Sequence, residues 1–476
     1  LYWGAVWCPP CHNLKKNFFT KAEFIKATKD FVPVYLDGDT ERAQIWGEKF
    51  AIAGYPTVII FSPTGVELFR MPTDVTAEQY GKLLLASVQN FRPVEEILAD
   101  VSSNGASSVD QLELELIAYH PWMGDRDAEL TDQGAFDLFW KIHNELGEDQ
   151  ARLRTRFMIL SLERAVARIG VVKDIFGDAG LVELDEVKRS EFRTEIISLL
   201  ESPELWVDNK VFLTLQSAAT VATLAPEANA GRDELVALWL ASARSMQDHP
   251  EFSDTERLMA FVPEFELVSP TGGSGEDEVP TELQERIQQR VQELTVEPHD
   301  PGEFQSTLNM MAHLMVSAGL EEEAVALLDE HMDETIAPHY FLSLRGDLSA
   351  DDPEEALEWH RKAFDSSGSG SSRIRWGSEY VAKRIELAPE DAAGIERAMQ
   401  ELLGAVDDVF AGRNYGYVRG LDPALTAWAV ETGNEAVAKR LREGVVQQCA
   451  RFKESMDETQ YERCMAFLGS GDSEIE

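Results

Sequence analysis

Cys8 and Cys11, in the run Trp7-Cys8-Pro9-Pro10-Cys11, have the residue types and spacing most able to do chemistry in this chain. Two intervening residues let both sulfurs meet within one helical turn. A disulfide there can close and open with little backbone movement. The run from Leu1 to Val6 reads as the end of a buried strand. Cys8 then falls at a helix N-terminus, where unpaired N–H groups and the helix dipole favour an anion. The thiolate is the nucleophile, so Cys8 is the attacking residue and Cys11, one turn in, resolves the mixed disulfide. Pro9 and Pro10 suit a first helical turn, where a missing N–H costs little. A Cys-x-x-Cys is also half of a zinc site. That reading needs two more ligands, and the sequence has no second Cys-x-x-Cys or closely spaced His pair to supply them. Neither a metal nor a cofactor is expected.

Several elements must position this pair. The helix that begins at Cys8 continues through Asn13-Leu14-Lys15-Lys16-Asn17-Phe18-Phe19. The apolar and turn patterns then predict a strand over 31–36, a helix over 40–50, and the segment Gly54-Tyr55-Pro56-Thr57. A strand over 58–62, a turn at Pro63-Thr64-Gly65, a strand over 66–70 and a helix over 77–89 follow.

This order, with its two motifs, resembles a thioredoxin domain over residues 1 to about 90. The Cys-His-Asn-Leu-Lys-Lys helix and its Phe-rich continuation look most similar to thioredoxin-like domains of bacterial periplasmic proteins, including the C-terminal domain of the transmembrane electron-relay reductases. The resemblance implies that Cys8 is the nucleophile, Cys11 the resolving thiol and Trp7 the flanking aromatic. It implies that Pro56 is the family's cis proline facing the disulfide, a bond type nearly confined to X-Pro. Tyr55 would offer its backbone to an extended client segment by strand addition. One departure matters. Thioredoxins carry a buried acid six positions before the first cysteine, and Tyr2 stands there; a phenol, titrating near pH 10, is a poor proton acceptor. A thioredoxin domain usually has a helix, and often a strand, before the point at which Leu1 stands, so Leu1 is not expected to be the natural start, and any signal peptide or lipid anchor would lie upstream of it. His12 can be read as a thiolate-stabilising cation or as an ordinary surface residue of the helix.

The chain has 476 residues and a net charge of −42, which argues against nucleic acid as a partner. The charge is unevenly placed. Residues 1–92 hold 10 Lys+Arg against 9 Asp+Glu, which leaves 33 basic and 76 acidic residues, a net of −43, for the remainder. The acidic part reads as a solvated helical array, or as a surface for a basic partner. No run of 18 apolar residues is present to span a membrane. Cys449 and Cys464 lie on two helical patterns separated by a turn over 454–459. A hairpin there could bridge them in an oxidising compartment, or leave two buried thiols.

From Pro93 onward, periodicity near 3.6 replaces strand signals, with helices expected over 110–119, 131–146, 150–169, 190–200, 209–224, 231–246 and 254–261. The expected division is a thioredoxin-like domain over 1–92, an all-α domain over 93–268, a flexible acidic linker over 269–280 and an all-α array over 281–476. In that last part Ala324 and Ala356 open helices 32 residues apart, near the period of a tetratricopeptide repeat, and Gly433-Asn434-Glu435-Ala436 looks like a further copy. The repeat's aromatic and proline positions are mostly absent, so it is a degenerate helical-hairpin array. Met310, Met311 and Met315 read as core or as an adaptable binding face, Tyr119-His120-Pro121-Trp122 as a packed helix end, and 366–372 as a flexible Ser/Gly loop.

The expectation is a thiol–disulfide oxidoreductase of the bacterial periplasm or envelope. Its partners would be protein clients and an upstream dithiol donor or acceptor, and the helical arm would select clients or join protomers into a homo-oligomer. The alternative is a helical-repeat adaptor whose thioredoxin-like domain is a redox-sensitive docking module. A remote third reading is copper delivery through Cys8 and Cys11 with a distant His.

Overall fold

The computed structural model describes all residues except 53, 74, 90, 123–129, 169–180, 269–278, 297–299, 369, 407–411, 457 and 466–476. Most of the expected 269–280 linker, and the last residue of the helix expected over 150–169, lie outside the described residues.

The N-terminal part is α/β. Strands β1 (Tyr2–Gly4), β2 (Tyr35–Asp37), β3 (Thr57–Phe61) and β4 (Glu67–Met71) form one sheet in the order β2-β1-β3-β4. Helices α1 (Pro9–Leu14) and α2 (Ala22–Ala27) lie between β1 and β2, α3 (Glu41–Lys49) between β2 and β3, and α4 (Ala77–Gln89) follows β4. In β3 the consecutive Val58, Ile59 and Ile60 are all buried, the mark of a strand covered on both faces. β4 pairs antiparallel with it, Val58 opposite Met71 and Ile60 opposite Phe69, and the register slips after Ile60. The turn works because Gly65 takes φ 85°, a left-handed position that costs glycine little. Its N–H donates to Ser62 O at 3.0 Å. Arg70, inward on β4, is held by Glu67 at 2.6 Å.

The chain divides into two compact units that do not follow its order. One comprises Leu1–Tyr2, His12–Val34 and Pro56–Leu320. Its core runs unbroken from Val58, Phe69 and Tyr80 through Ile97 and Ile117 to Phe139 and Phe157. A second cluster gathers Phe192, Ile196, Leu213 and Trp239. Its helices start where the sequence supplies caps. Asp110 and Glu113 form a capping box on Gln111–Tyr119, Ser253 and Glu256 another on Asp254–Met259, and Asn229 caps Ala230–Met246. Trp122 secures the end of Gln111–Tyr119 by donating from Nε1 to Ile117 O at 2.8 Å. The helix expected over 209–224 is two, Lys210–Leu215 and Ser217–Leu224, broken at Gln216. Met311 and Met315 are buried in Pro301–Ser317, with Met310 half-buried.

The other unit comprises Trp3–Cys11, Tyr35–Tyr55 and Glu321–Glu476. Here the helices His339–Asp347, Pro353–Ser366, Gly370–Leu387 and Ala392–Gly404 pack in succession. Small residues permit the approach: a Cβ on Gly346 would stand 2.8 Å from the His360 ring, and one on Gly377 2.8 Å from Phe364. Ala324 and Ala356 are both fully buried. In the third helix pair Ala436 is exposed and Ala438 buried instead, so that copy is out of register. The 366–372 segment is not the open loop its composition predicts. Pro353–Ser366 runs to its first residue and Gly370–Leu387 already includes Ser371 and Ser372, both buried. Gly368 and Gly370, at φ 75° and 66°, make the turn between the helices. Cys449 and Cys464 are disulfide-bonded between Glu435–Arg451 and Glu458–Met465, with Cα atoms 5.8 Å apart and both sulfur-bearing residues fully buried. Among the described residues no helix is long and apolar enough to cross a membrane.

Candidate functional site

Cys8 ends the loop after β1, and Pro9 and Pro10 open α1, the first-turn placement their sequence implies. Cys8 and Cys11 are bridged, with Cα atoms 5.2 Å apart. The Cys11 N–H donates to Cys8 Sγ at 3.2 Å. Such an N–H is the kind of donor that stabilises a thiolate once the bridge opens. Both cysteines are buried, with relative exposures of 2% and 0%, beside Ala5 and under Trp7 and Tyr55. Pro10 is exposed, and Pro56 is half-buried immediately before β3.

Trp7 is held on two sides. Its Nε1 donates to Asp39 Oδ2 at 2.8 Å, and its ring lies 6.1 Å from Tyr55 and 5.9 Å from Tyr340. Tyr55 donates to Gly38 O at 3.4 Å and accepts from Gln44 Nε2 at 3.2 Å. Gln44 also donates to Gly38 O at 2.6 Å. Position 38 has to be glycine, because a Cβ would sit 2.4 Å from the Tyr55 ring. The result is a braced collar in which the 37–39 loop, α3 and Tyr55 fix the indole over the disulfide.

The helical array completes this collar within the same unit. Ser371 Oγ donates to Gly38 O at 3.4 Å, and Gly370 lies so close that a Cβ would stand 2.5 Å from Asp39 O. A narrow cleft results, with Trp7, Tyr55 and Gln44 on one side and Tyr340, Ser371, Arg375 and Tyr417 on the other. Burial pushes the Asp39 carboxyl up to about 6, against the opposing pull of the Trp7 N–H. Its Oδ1 is buried with no hydrogen-bond partner among the described residues. Burial, helped by the Arg375 charge, lowers His339 to about 4 and keeps it neutral near pH 7.

Tyr2, at the position where the resemblance would put an acid, packs edge-on against Phe19 with ring centroids 5.2 Å apart. His12 is not a plain surface residue. It is half-buried, and a Cβ on Gly302 would come 2.9 Å from its ring. Beside it Lys16 reaches Glu303 at 2.7 Å. Asp39, Gln44, Tyr340, Ser371 and Arg375 escaped the sequence reading. Only the Asp37-Gly38-Asp39 turn after a strand carried any local signal for them, because the array's contribution depends on contacts some 300 residues apart, such as Ser371 with Gly38.

A small sheet flanked by helices, with a Cys-x-x-Cys at the N-terminus of the first helix, defines a thioredoxin-like redox domain followed by a helical region. A family model described as a thioredoxin-like domain matches residues 1–87. A comparison with curated proteins gives no match.

Proposed function

We propose that this protein is a thiol–disulfide oxidoreductase of the bacterial cell envelope, exchanging dithiols and disulfides with protein clients at Cys8 and Cys11. The bridged Cys8–Cys11 pair at the start of α1 carries this reading. In the reductive direction, the Cys8 thiolate attacks a client sulfur and the client S–S bond breaks. The departing client thiolate takes a proton. Cys11, deprotonated in turn, attacks Cys8 Sγ, releases the second client thiol and leaves the protein oxidised. An upstream dithiol then returns two electrons. Trp7, Tyr55 and Pro56 shape the client groove, and the helical arm selects what reaches it. The buried Cys449–Cys464 bridge supports an oxidising compartment.

A Cys11→Ala variant tests the cycle. It should accumulate mixed disulfides through Cys8, recovered by mass spectrometry under non-reducing conditions. Recovery of no Cys8-linked client at all contradicts the exchange and favours the adaptor reading, which draws on the near-complete burial of both cysteines. The reduction potential gives the direction: below about −250 mV for a reductase, near about −120 mV for an oxidant.

A further inference from the structure

Arg375 stands out in so acidic a chain. It lies on Gly370–Leu387, half-buried, and lines the cleft that faces Trp7 and Tyr55. Its Nη1 donates to Tyr340 OH at 3.2 Å. Its guanidinium rests on the rings of Tyr340 and Trp376, 5.1 and 4.9 Å from their centroids. No carboxylate pairs with it among the described residues, although other arginines of the same array do find acids, as Arg361 does with Glu401 and Arg440 with Glu396. A guanidinium has five N–H donors, and Tyr340 uses one of them. The ring contacts hold the group in place without neutralising it. Asp39, the acid tied to the cleft wall, accepts from Trp7 Nε1. His339, behind Tyr340, lies 3.5 Å from Ser372 Oγ and is neutral.

We propose that Arg375 is a specificity-determining residue of the redox site, binding a carboxylate carried beside the reacting disulfide of the substrate. This rests on the oxidoreductase reading above and deepens it. The narrow cleft is bordered by four aromatic rings and carries one fixed cation, so an anion on a substrate that approaches Trp7 and Tyr55 meets Arg375 at its edge. The carboxylate can come from a low-molecular-weight disulfide or from an acidic residue flanking a client cysteine. In either case Arg375 orients the disulfide toward Cys8 Sγ. Cys8 forms the mixed disulfide, the first thiol leaves with a proton, and Cys11 expels the second. An external dithiol supplies the two electrons.

The test uses the full chain at pH 7 with dithiothreitol as donor. Rates are compared for dithiodipropionate, which carries carboxylates, and for neutral hydroxyethyl disulfide, each divided by its rate with dithiothreitol alone. The wild type should favour the anionic compound by about tenfold, the contribution of one charge-assisted hydrogen bond. Arg375→Gln should remove that preference, read as the ratio of the two rates within the same protein. Arg375→Lys should keep part of it, and added salt should erode it in the wild type, a readout that needs no variant to fold. An equal preference in wild type and Arg375→Gln, or none in the wild type, overturns the assignment. If the protein consumes neither compound in a Cys8-dependent manner, the oxidoreductase reading itself fails. Peptide disulfides with Glu or Gln beside the cysteine separate the two sources. A charge preference seen there as well points to acidic protein clients, and one confined to the small compound points to a low-molecular-weight disulfide.

Discussion

Asp39, which anchors Trp7 beside the disulfide, shows how little of the site's framework was legible in the sequence. Cys8, Cys11, Trp7 and Tyr55 could be picked out because a local motif contains them. Asp39 could not, because its buried position beside Trp7 arises only when the 37–39 loop comes against the indole. The folded carboxyl sits at about 6 against an ordinary 3.8. The folded state therefore binds the proton more tightly than the unfolded chain does. This lowers stability progressively as pH rises from about 4 to about 6, and the penalty is fully present above that. Asp39→Asn removes the charge and keeps an acceptor for Trp7. Denaturant unfolding of both proteins at pH 4 and pH 7 should show the variant gaining about 1–3 kcal/mol on the wild type over that interval. A difference that does not change with pH would mean that Asp39 ionises freely.

At the scale of elements, the helix Gly370–Leu387 was the least expected. Its Ser/Gly composition reads as a mobile loop. The glycines instead make a tight turn, and the serines are buried because Gly38 O and the neighbourhood of His339 give their hydroxyls partners. The elements around β3 were easier to foresee, since a run such as Thr-Val-Ile-Ile-Phe has few other folds open to it. Gly370→Val tests the role of the helix start. It strains a residue at φ 66° and drives a side chain toward Asp39 O. Stability should fall by about 1–3 kcal/mol, measured by denaturant titration. In the reduced protein Cys8 should then be alkylated faster by iodoacetamide. Unchanged alkylation alongside the stability loss would show that this helix does not govern access to Cys8. Similarly, the Glu435–Arg451 and Glu458–Met465 pair is closed by Cys449–Cys464 across 15 residues. Changing both to Ala should cost about 3 kcal/mol, and mass spectrometry of the unreduced wild type should find the bridge.

At the scale of the whole molecule, the charge pattern gave the division of labour that the structure then rearranged. A neutral redox domain followed by an acidic helical region was legible from composition alone. That segments Trp3–Cys11 and Tyr35–Tyr55 join the compact unit of Glu321–Glu476 was not, because no sequence period encodes a contact between distant parts of a chain. The bridged Cys8–Cys11 pair thus lies beside a collar that the helical array helps to build, and under the proposed function a client must fit that collar. The central claim is that Cys8 and Cys11 turn over. It is tested most directly by the rate of insulin-disulfide reduction with dithiothreitol as donor, measured for the wild type and for Cys8→Ser. The wild type should accelerate reduction well above the dithiothreitol background and Cys8→Ser should not. Equal rates for the two proteins would contradict the account.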